Sequence, residues 1–432
     1  MVDANSNKRP KLARILRVLI GVLIMVVCYR LIADSVAAGV SRLFSTVAIV
    51  QSSLEPAEKA VSLSPSDPEA HYTLALTLSN HQRLDEALAE MQLVTRLRPH
   101  YYYVWLDLGL TLDRLGKPEA AAAFSESIRL APSFSQPRWQ FGNFLYRQEK
   151  FEDAFVELRR GATSNPRLVG PLLDLAWEAS NHDARLMEGL VQPQSRRMHF
   201  EMARLLARQG AAAEAARQIR EAGNPDDDGE RTLLNQTISA LLAGDQFLAA
   251  YSAWAATHLR ASEGASAPEG HLLNGNFLEP VKQEESGFGW QLPTLPSLAA
   301  SIDPSGPSPG TQSLRLEFSG DPPLGSQFLS QIVLVQPKTH YLLSFKARTE
   351  KLVSGGPPVV LIAIADSKLR KTLAQSTPLS VGTNGWSDYS IDFTAEENVS
   401  AVIVGLQRLP CNETHCPIFG KLWLGSISLS KV

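Results

Sequence analysis

Two cysteines, Cys411 and Cys416, bracket a short polar loop, with His415 beside the second. In an oxidising compartment this spacing closes a small disulfide ring. The rival chemistry is zinc ligation by Cys411, His415 and Cys416, which lacks a fourth ligand and the usual spacing. Four aromatic residues of the same region, Trp290, Trp386, Tyr389 and Trp423, could form a platform for a sugar ring. Trp386, Tyr389 and Trp423 stand among apolar neighbours, which fits core filling. Trp290 precedes a proline-rich loop and is the candidate glycan contact. In the other half of the chain, Tyr101, Tyr102 and Tyr103 directly follow Pro99. They either cover a seam between packed elements or offer aromatic contacts to a peptide or neighbouring subunit. Arg138 stands where comparable positions carry a large packing residue, and an inward-facing guanidinium there would select an acidic partner. The acidic run 226–230 lacks the alternate spacing and terminal bidentate Glu of a calcium loop, and suits an inter-helix loop capping the next helix. There is no glycine-rich phosphate loop, no HExxH, no Gly-x-Ser-x-Gly and no paired-cysteine metal motif. The nine histidines are scattered. The expectation is a binding protein with no catalytic residues and no cofactor or metal.

The elements that position these residues repeat. Pro65, Pro99, Pro132 and Pro166 recur at intervals of 34, 33 and 34 residues. Six residues after each stand His71, Trp105, Arg138 and Leu172; nine after, Leu74, Leu108, Phe141 and Leu175. Ten after there is always a small residue, Ala75, Gly109, Gly142 or Ala176. Later in the unit come Leu84, Ala87 and Met91, and then Phe151, Ala154 and Leu158. A large residue followed by a tiny one lets a neighbouring helix approach closely. This pattern resembles a tetratricopeptide repeat array, whose unit is a 34-residue helix–turn–helix. The resemblance implies a helical solenoid that binds proteins rather than catalysing. Ala57, Ala60 and Leu63 resemble the closing helix of a degenerate first repeat. Met202, Ala203, Leu206 and Gly210 resemble a later opening helix, and Phe247, Ala250 and Trp254 repeat the spacing of Phe151, Ala154 and Leu158. Ahead of both lies a poorer stretch from Asn181 to Ser195, where Pro193 blocks a regular helix. Five or six helical pairs are expected across about 44–262.

The N-terminus carries an address. Lys8, Arg9, Lys11, Arg14 and Arg17 precede an apolar run from Val18 to Tyr29, followed by Arg30. The uncharged core is short, but Arg17 and Arg30 can snorkel towards opposite interfaces. From Leu12 to Ala33 a helix reaches roughly 33 Å, enough for a hydrocarbon core of about 30 Å. The expected arrangement is a cytoplasmic basic tail at 1–14 and an uncleaved signal anchor at 15–33, with the rest of the chain outside the cytoplasm. Cleavage after the small residues Val36, Ala37 and Ala38 is the alternative. The formal net charge of −3 and the lack of a basic stripe argue against nucleic acid as a partner.

A small, polar stretch at 263–270 reads as a linker. Beyond it the periodicity changes from helical to alternating, at Ser313 to Phe318, Gln331 to Val335, Tyr341 to Ala347, Trp386 to Phe393, Ala401 to Leu406 and Leu422 to Leu429. With the apolar run Val359 to Ala365, these make seven or eight short strands, the pattern of an antiparallel β-sandwich at 271–432. The segments 272–279, 289–290, 313–316, 335–347, 386–389 and 422–429 together resemble the jelly roll of carbohydrate-binding modules. That family commonly holds calcium with an acidic residue on its last strand. Here Gly425 and Ser426 stand at that place and Glu279 alone would not suffice, so no metal is expected. The whole chain thus reads as multidomain, α then β, with one N-terminal transmembrane helix. Its layout resembles accessory proteins of bacterial exopolysaccharide synthesis and export. The resemblance implies an envelope scaffold that docks a protein partner, with polysaccharide as a further possible ligand. The alternative is a surface carbohydrate receptor whose repeats serve as a stalk.

Overall fold

The computed structural model describes residues 9–258, 269–281, 287–323, 325–366, 368–369, 371–411 and 415–432. The chain divides into two compact units, Met1–His182 with Gly189–Val191, and Asp183–Glu188 with Gln192–Val432. The expected linker at 263–270 lies outside the described residues except for its last two, and the division between units falls within a helix further upstream.

The first unit holds α1 (Arg9–Gln51), α2 (Leu54–Leu63), α3 (Pro68–Asn80), α4 (Leu84–Leu97), α5 (Tyr102–Arg114), α6 (Ala120–Leu130), α7 (Ser135–Arg147), α8 (Phe151–Ser164) and α9 (Val169–Ala179). α1 packs on α2, α3 on α4, α5 on α6 and α7 on α8. Pro65, Pro99 and Pro132 lie just ahead of α3, α5 and α7, where a fixed φ and a missing N–H do no harm. Pro166 opens a 3₁₀ turn that leads into α9. The small residues at the tenth position are in tight quarters. A Cβ on Gly109 would lie 2.8 Å from the Phe124 ring, and one on Gly142 would lie 2.6 Å from Leu158 Cγ. The large-then-small pattern thus corresponds to a closing helix whose bulky side chain fills the space above the small residue.

The sequence suggests an anchor at 15–33 and a separate repeat region beginning near residue 44, but α1 runs through both without a break. No proline follows Pro10 to interrupt it, and a Cβ on Gly21 or Gly39 would meet nothing within 4 Å. One 18-residue window of this helix has a mean hydropathy of 2.4 and none of it is buried, so it is long and apolar enough to cross a membrane. The far end of the same helix opens the first hairpin. Ser41, Ser45 and Ala48 are buried, and Ser41 Oγ donates to the Ala60 carbonyl of α2 at 2.8 Å. Ala48 joins Ala57, Leu74, Leu78 and Ala87 in one apolar cluster.

α10 (Ala184–Val191) carries the division between the units. The second unit continues with α11 (Arg196–Arg208), α12 (Ala212–Ala222), α13 (Asp228–Ala243) and α14 (Phe247–His258). The acidic run at 226–230 caps α13: Asp227 Oδ1 accepts from the Glu230 N–H at 2.7 Å, and Glu230 Oε2 accepts from the Asp226 N–H at 2.9 Å. Nine strands follow among the described residues: β1 (Leu298–Asp303), β2 (Ser313–Gly320), β3 (Gln327–Leu334), β4 (His340–Ser354), β5 (Pro358–Ile364), β6 (Thr372–Gln375), β7 (Gly382–Thr394), β8 (Ala401–Arg408) and β9 (Ile418–Lys431). They form two antiparallel sheets, ordered β1-β2-β9-β4-β7 and β3-β8-β5-β6. One apolar core draws on both sheets, with Leu316, Leu343, Phe345 and Leu422 from the first and Phe328, Ile362, Val402 and Val404 from the second. The strands that sequence periodicity misses are β1 and β6. They are the two shortest strands, 6 and 4 residues long, too short to show a sustained apolar alternation. Helices and sheets of this unit meet at Phe288, which is buried with its ring 5.0 Å from Tyr251 and 6.0 Å from Trp254 of α14.

Candidate functional site

The sixth position has a common task after three of the four repeat prolines, whereas Leu172 after Pro166 is buried apolar packing. Trp105 Nε1 donates to the Pro99 carbonyl at 2.8 Å, and Arg138 Nε donates to the Pro132 carbonyl at 3.0 Å. His71 Nε2 lies 2.9 Å from the Pro65 carbonyl, and its Nδ1 lies 2.6 Å from Glu90 Oε2. Each side chain ties the head of its helix to the preceding loop. This corrects the expectation for Arg138. Its Nη1 donates to Glu157 Oε2 at 2.7 Å, and both side chains are largely buried, at 15% and 13% exposure. The guanidinium is therefore occupied inside the repeat and is not a free contact for an acidic partner.

The tyrosine cluster divides in two. Tyr103 is the hub, edge-on to Tyr72 at 5.3 Å, Tyr101 at 5.7 Å and Tyr102 at 6.1 Å. Tyr102 also packs on Phe134 of the next loop at 4.9 Å. Tyr102 and Tyr103 are partly buried and seal the seam between repeats. Tyr101 is 49% exposed, with the Arg98 guanidinium 5.2 Å from its ring centre. Arg98 is itself held by Glu69 at 2.9 Å and by the Tyr103 hydroxyl at 3.3 Å.

A second set of polar residues links the opening helices α3, α5 and α7. The Tyr72 hydroxyl donates to Asp107 Oδ2 at 2.5 Å. Burial, followed by the nearby Asp107 charge, pushes the Tyr72 phenol far above its usual range. Burial likewise raises the Asp107 carboxyl, while the bond from Tyr72 pulls it back down. Arg114 donates to Ser79 Oγ at 2.6 Å and to Gln82 Oε1 at 3.0 Å, and Arg147 pairs with Asp113. Sequence reading did not find these pairs. The signal was present as complementary polar residues about one repeat apart, 35 for Tyr72 with Asp107 and 34 for Asp113 with Arg147. Elsewhere in this unit an open groove of about 480 Å³ lies among α4, α5 and α6, with Leu88, Trp105, Leu108 and Leu112 in its walls.

The packing residues named from the sequence sit along the opening helices. Leu74, Ala75, Leu108, Gly109, Gly142 and Ala176 are buried, while Phe141 and Leu175 are partly exposed. Phe141 packs against Phe124 at 5.9 Å.

In the sheet region Trp290 is not a glycan platform. It is 5% exposed, belongs to the core, stacks on Phe277 at 5.7 Å and donates its Nε1–H to the Asn274 carbonyl at 3.2 Å. Trp423 is also buried, but outside that core: Arg348 lies 4.2 Å above its ring, and its Nε1–H donates to Asp303 Oδ2 at 2.8 Å. The Ser305 N–H, then the Trp423 N–H, hold the Asp303 carboxyl below the usual carboxylate range. Tyr389 stacks on Phe345 at 5.2 Å, and Trp386 is partly exposed. At the opening of the sheet region the Gly275 carbonyl accepts from the Ile427 N–H at 3.0 Å. A Cβ on Gly275 would stand 1.9 Å from the Ile427 carbonyl oxygen, so this approach requires glycine.

Cys411 and Cys416 are joined in a disulfide, so neither thiolate is free for zinc. The residues between them at 412–414 lie outside those described. His415 faces Asp321 Oδ2 at 3.5 Å instead.

Residues 57–89, covering most of α2, all of α3 and the start of α4, match the tetratricopeptide repeat family. The chain therefore carries a tetratricopeptide repeat, a class of helical hairpin associated with protein–protein contacts. Among similar solved structures is MamA (residue 41 to the end) from Desulfovibrio magneticus RS-1, at 18% identity over 35% of this chain and 94% of that one, with a TM-score of 0.30. PilF of Pseudomonas aeruginosa matches at 18% identity over 44% of this chain and 91% of that one, with a TM-score of 0.33. A structure titled "CBM4 structure and function" matches at 14% identity over 37% of this chain and 99% of that one, with a TM-score of 0.28. No curated protein matches the chain.

Proposed function

We propose that this chain is an exported, membrane-anchored scaffold whose repeats dock a protein of the cell envelope and which is not an enzyme. The observation that carries the reading is α1, in which an exposed segment apolar enough to span a membrane continues into the opening helix of the first repeat. Five basic residues ahead of that segment favour a cytoplasmic N-terminus, and the Cys411–Cys416 disulfide fits an oxidising exterior such as the bacterial periplasm. Tyr101 is the member of the aromatic cluster left available to a partner. The strand orders β1-β2-β9-β4-β7 and β3-β8-β5-β6 support reading the sheet region as a jelly roll like that of carbohydrate-binding modules. A role beside exopolysaccharide synthesis or export rests on the similarity of layout alone.

Purification of the full-length chain from its native membrane, with and without residues 44–262, tests the docking role. A partner set that depends on those residues supports it, and an unchanged set rejects it. The strand order also keeps a second reading open, a surface receptor that binds glycan through residues 271–432. Co-sedimentation with polysaccharide separates the two, since the scaffold needs no sugar affinity and the receptor cannot lack it.

A further inference from the structure

α1 continues well past the length a membrane requires, and its apolar residues keep a strict register along the way. Ile15, Val22, Tyr29, Val36, Leu43 and Val50 recur every seventh residue; so do Leu19, Val26, Ala33, Val40 and Val47. Interleaved, they alternate by three and four, which is the seam of a coiled coil. Inside the apolar span the pattern says little, because nearly every residue there is apolar. Beyond Ala33 it discriminates. Asp34, Ser35, Ser41, Arg42, Ser45 and Thr46 all fall off the seam, while Val36, Val40, Leu43, Val47 and Val50 all fall on it.

Most of this seam is uncovered. Val36 is 60% exposed, Leu43 68%, Val47 39% and Val50 79%, while Val40 is half-buried. The hairpin partners α2 and α3 use a different face of the helix, through buried Ser41, Ser45 and Ala48. At 3.6 residues per turn that face points roughly 130° away from the seam. From residue 15 to residue 50 the seam runs about 53 Å, against a hydrocarbon core of about 30 Å, so about 20 Å of it stands in water. Single exposed apolar residues are ordinary on a protein surface, but a continuous stripe marks a contact.

The chemistry of the stripe selects its occupant. Copies inserted in one membrane share orientation and depth, so their helices meet parallel, with identical residues at the same height. Ala33, Val40 and Val47 hold one seam position and Val36, Leu43 and Val50 the other; its central stretch, Val40, Leu43 and Val47, matches the preference of parallel two-stranded coils. The flanking positions hold Ala37, Gly39, Phe44 and Thr46, none charged, so two like copies do not repel. We propose that α1 pairs with the α1 of a second copy of this chain along residues 33–50, bringing two repeat arrays together at the membrane surface. The proposal rests on the anchored reading for its axial register.

The test is cysteine cross-linking of the full-length chain in native membranes, in a Cys28→Ser background. Val36→Cys, Val40→Cys, Leu43→Cys and Val47→Cys are compared with Ala38→Cys, Arg42→Cys and Ile49→Cys after oxidation with copper phenanthroline. The expected result is dimer formation at the seam positions, about tenfold above the others, and about tenfold loss of the Val40→Cys dimer when Leu43→Glu is added. Equal cross-linking around the helix overturns the proposal. So does the absence of a dimer at every seam position, the outcome if lipid or a different protein covers the stripe. Carbonate extraction of the same membranes reports the anchor separately: a chain that washes off yet cross-links at the seam refutes the anchor and keeps the pairing.

Discussion

At the scale of single residues, the repeat is held by close fits and by polar ties that leave little freedom. The Gly142 position shows the first. A methyl group there meets Leu158 Cγ at 2.6 Å and the Ala154 carbonyl at 3.1 Å, so Gly142→Ala should cost about 1–3 kcal/mol by overpacking. Gly189, inside α10 with nothing within 4 Å, is the control: Gly189→Ala should stabilise by about 0.5–1 kcal/mol. Thermal unfolding of the two variants checks both signs. Arg138 shows the second. Its bonds to Pro132 and Glu157 predict that Arg138→Ala lowers stability by about 1.5–3 kcal/mol while partner capture by the folded protein is unchanged. Loss of capture without loss of stability would return Arg138 to the list of contacts. Asp303 gives a pH signature. Its folded pKa is depressed, so its contribution is present above the unfolded value and is lost as pH falls through the folded one. Asp303→Asn should therefore flatten the acid limb of the stability profile, and an unchanged limb would refute the role given to Ser305 and Trp423. Residue types announced the small–large packing and the disulfide. They could not announce that Trp290 turns inward, because a tryptophan beside a loop has the same local sequence whether it faces solvent or Phe277.

At the scale of elements, prolines made the helices legible and also hid one boundary. Pro193 reads as a helix blocker, yet it precedes α11 by three residues, just as Pro132 precedes α7. Six residues after it, His199 Nδ1 lies 2.7 Å from Gln218 Oε1, nineteen positions further on. The same offset joins His71 to Glu90 and Arg138 to Glu157. Pro193 is thus another repeat proline, disguised because α10 has only 8 residues and the interval shrinks. In the sheet region the seven longer strands were legible, and the short strands β1 and β6 were not. α1 was legible in its two halves only. Nothing in the residues marked a break between span and repeat, and the structure contains none.

At the scale of the whole molecule, helical hairpins are followed by two antiparallel sheets, and the proposed function tethers them to a membrane on the side away from the N-terminus. The disulfide belongs to this scale, because Cys411 and Cys416 stay joined only where the surroundings are oxidising. The chain purified without reductant should leave both thiols inaccessible to maleimide and leave Cys28 as the free one. Three free thiols in freshly lysed cells would argue for a reducing compartment. The most direct measurement of the central claim is a reporter fused after Val432 in the living host, alkaline phosphatase in one strain and a cytoplasm-dependent fluorescent protein in another. Active phosphatase and a dark fluorophore are the expected result. A bright fluorophore with inactive phosphatase would place the repeats in the cytoplasm and contradict it.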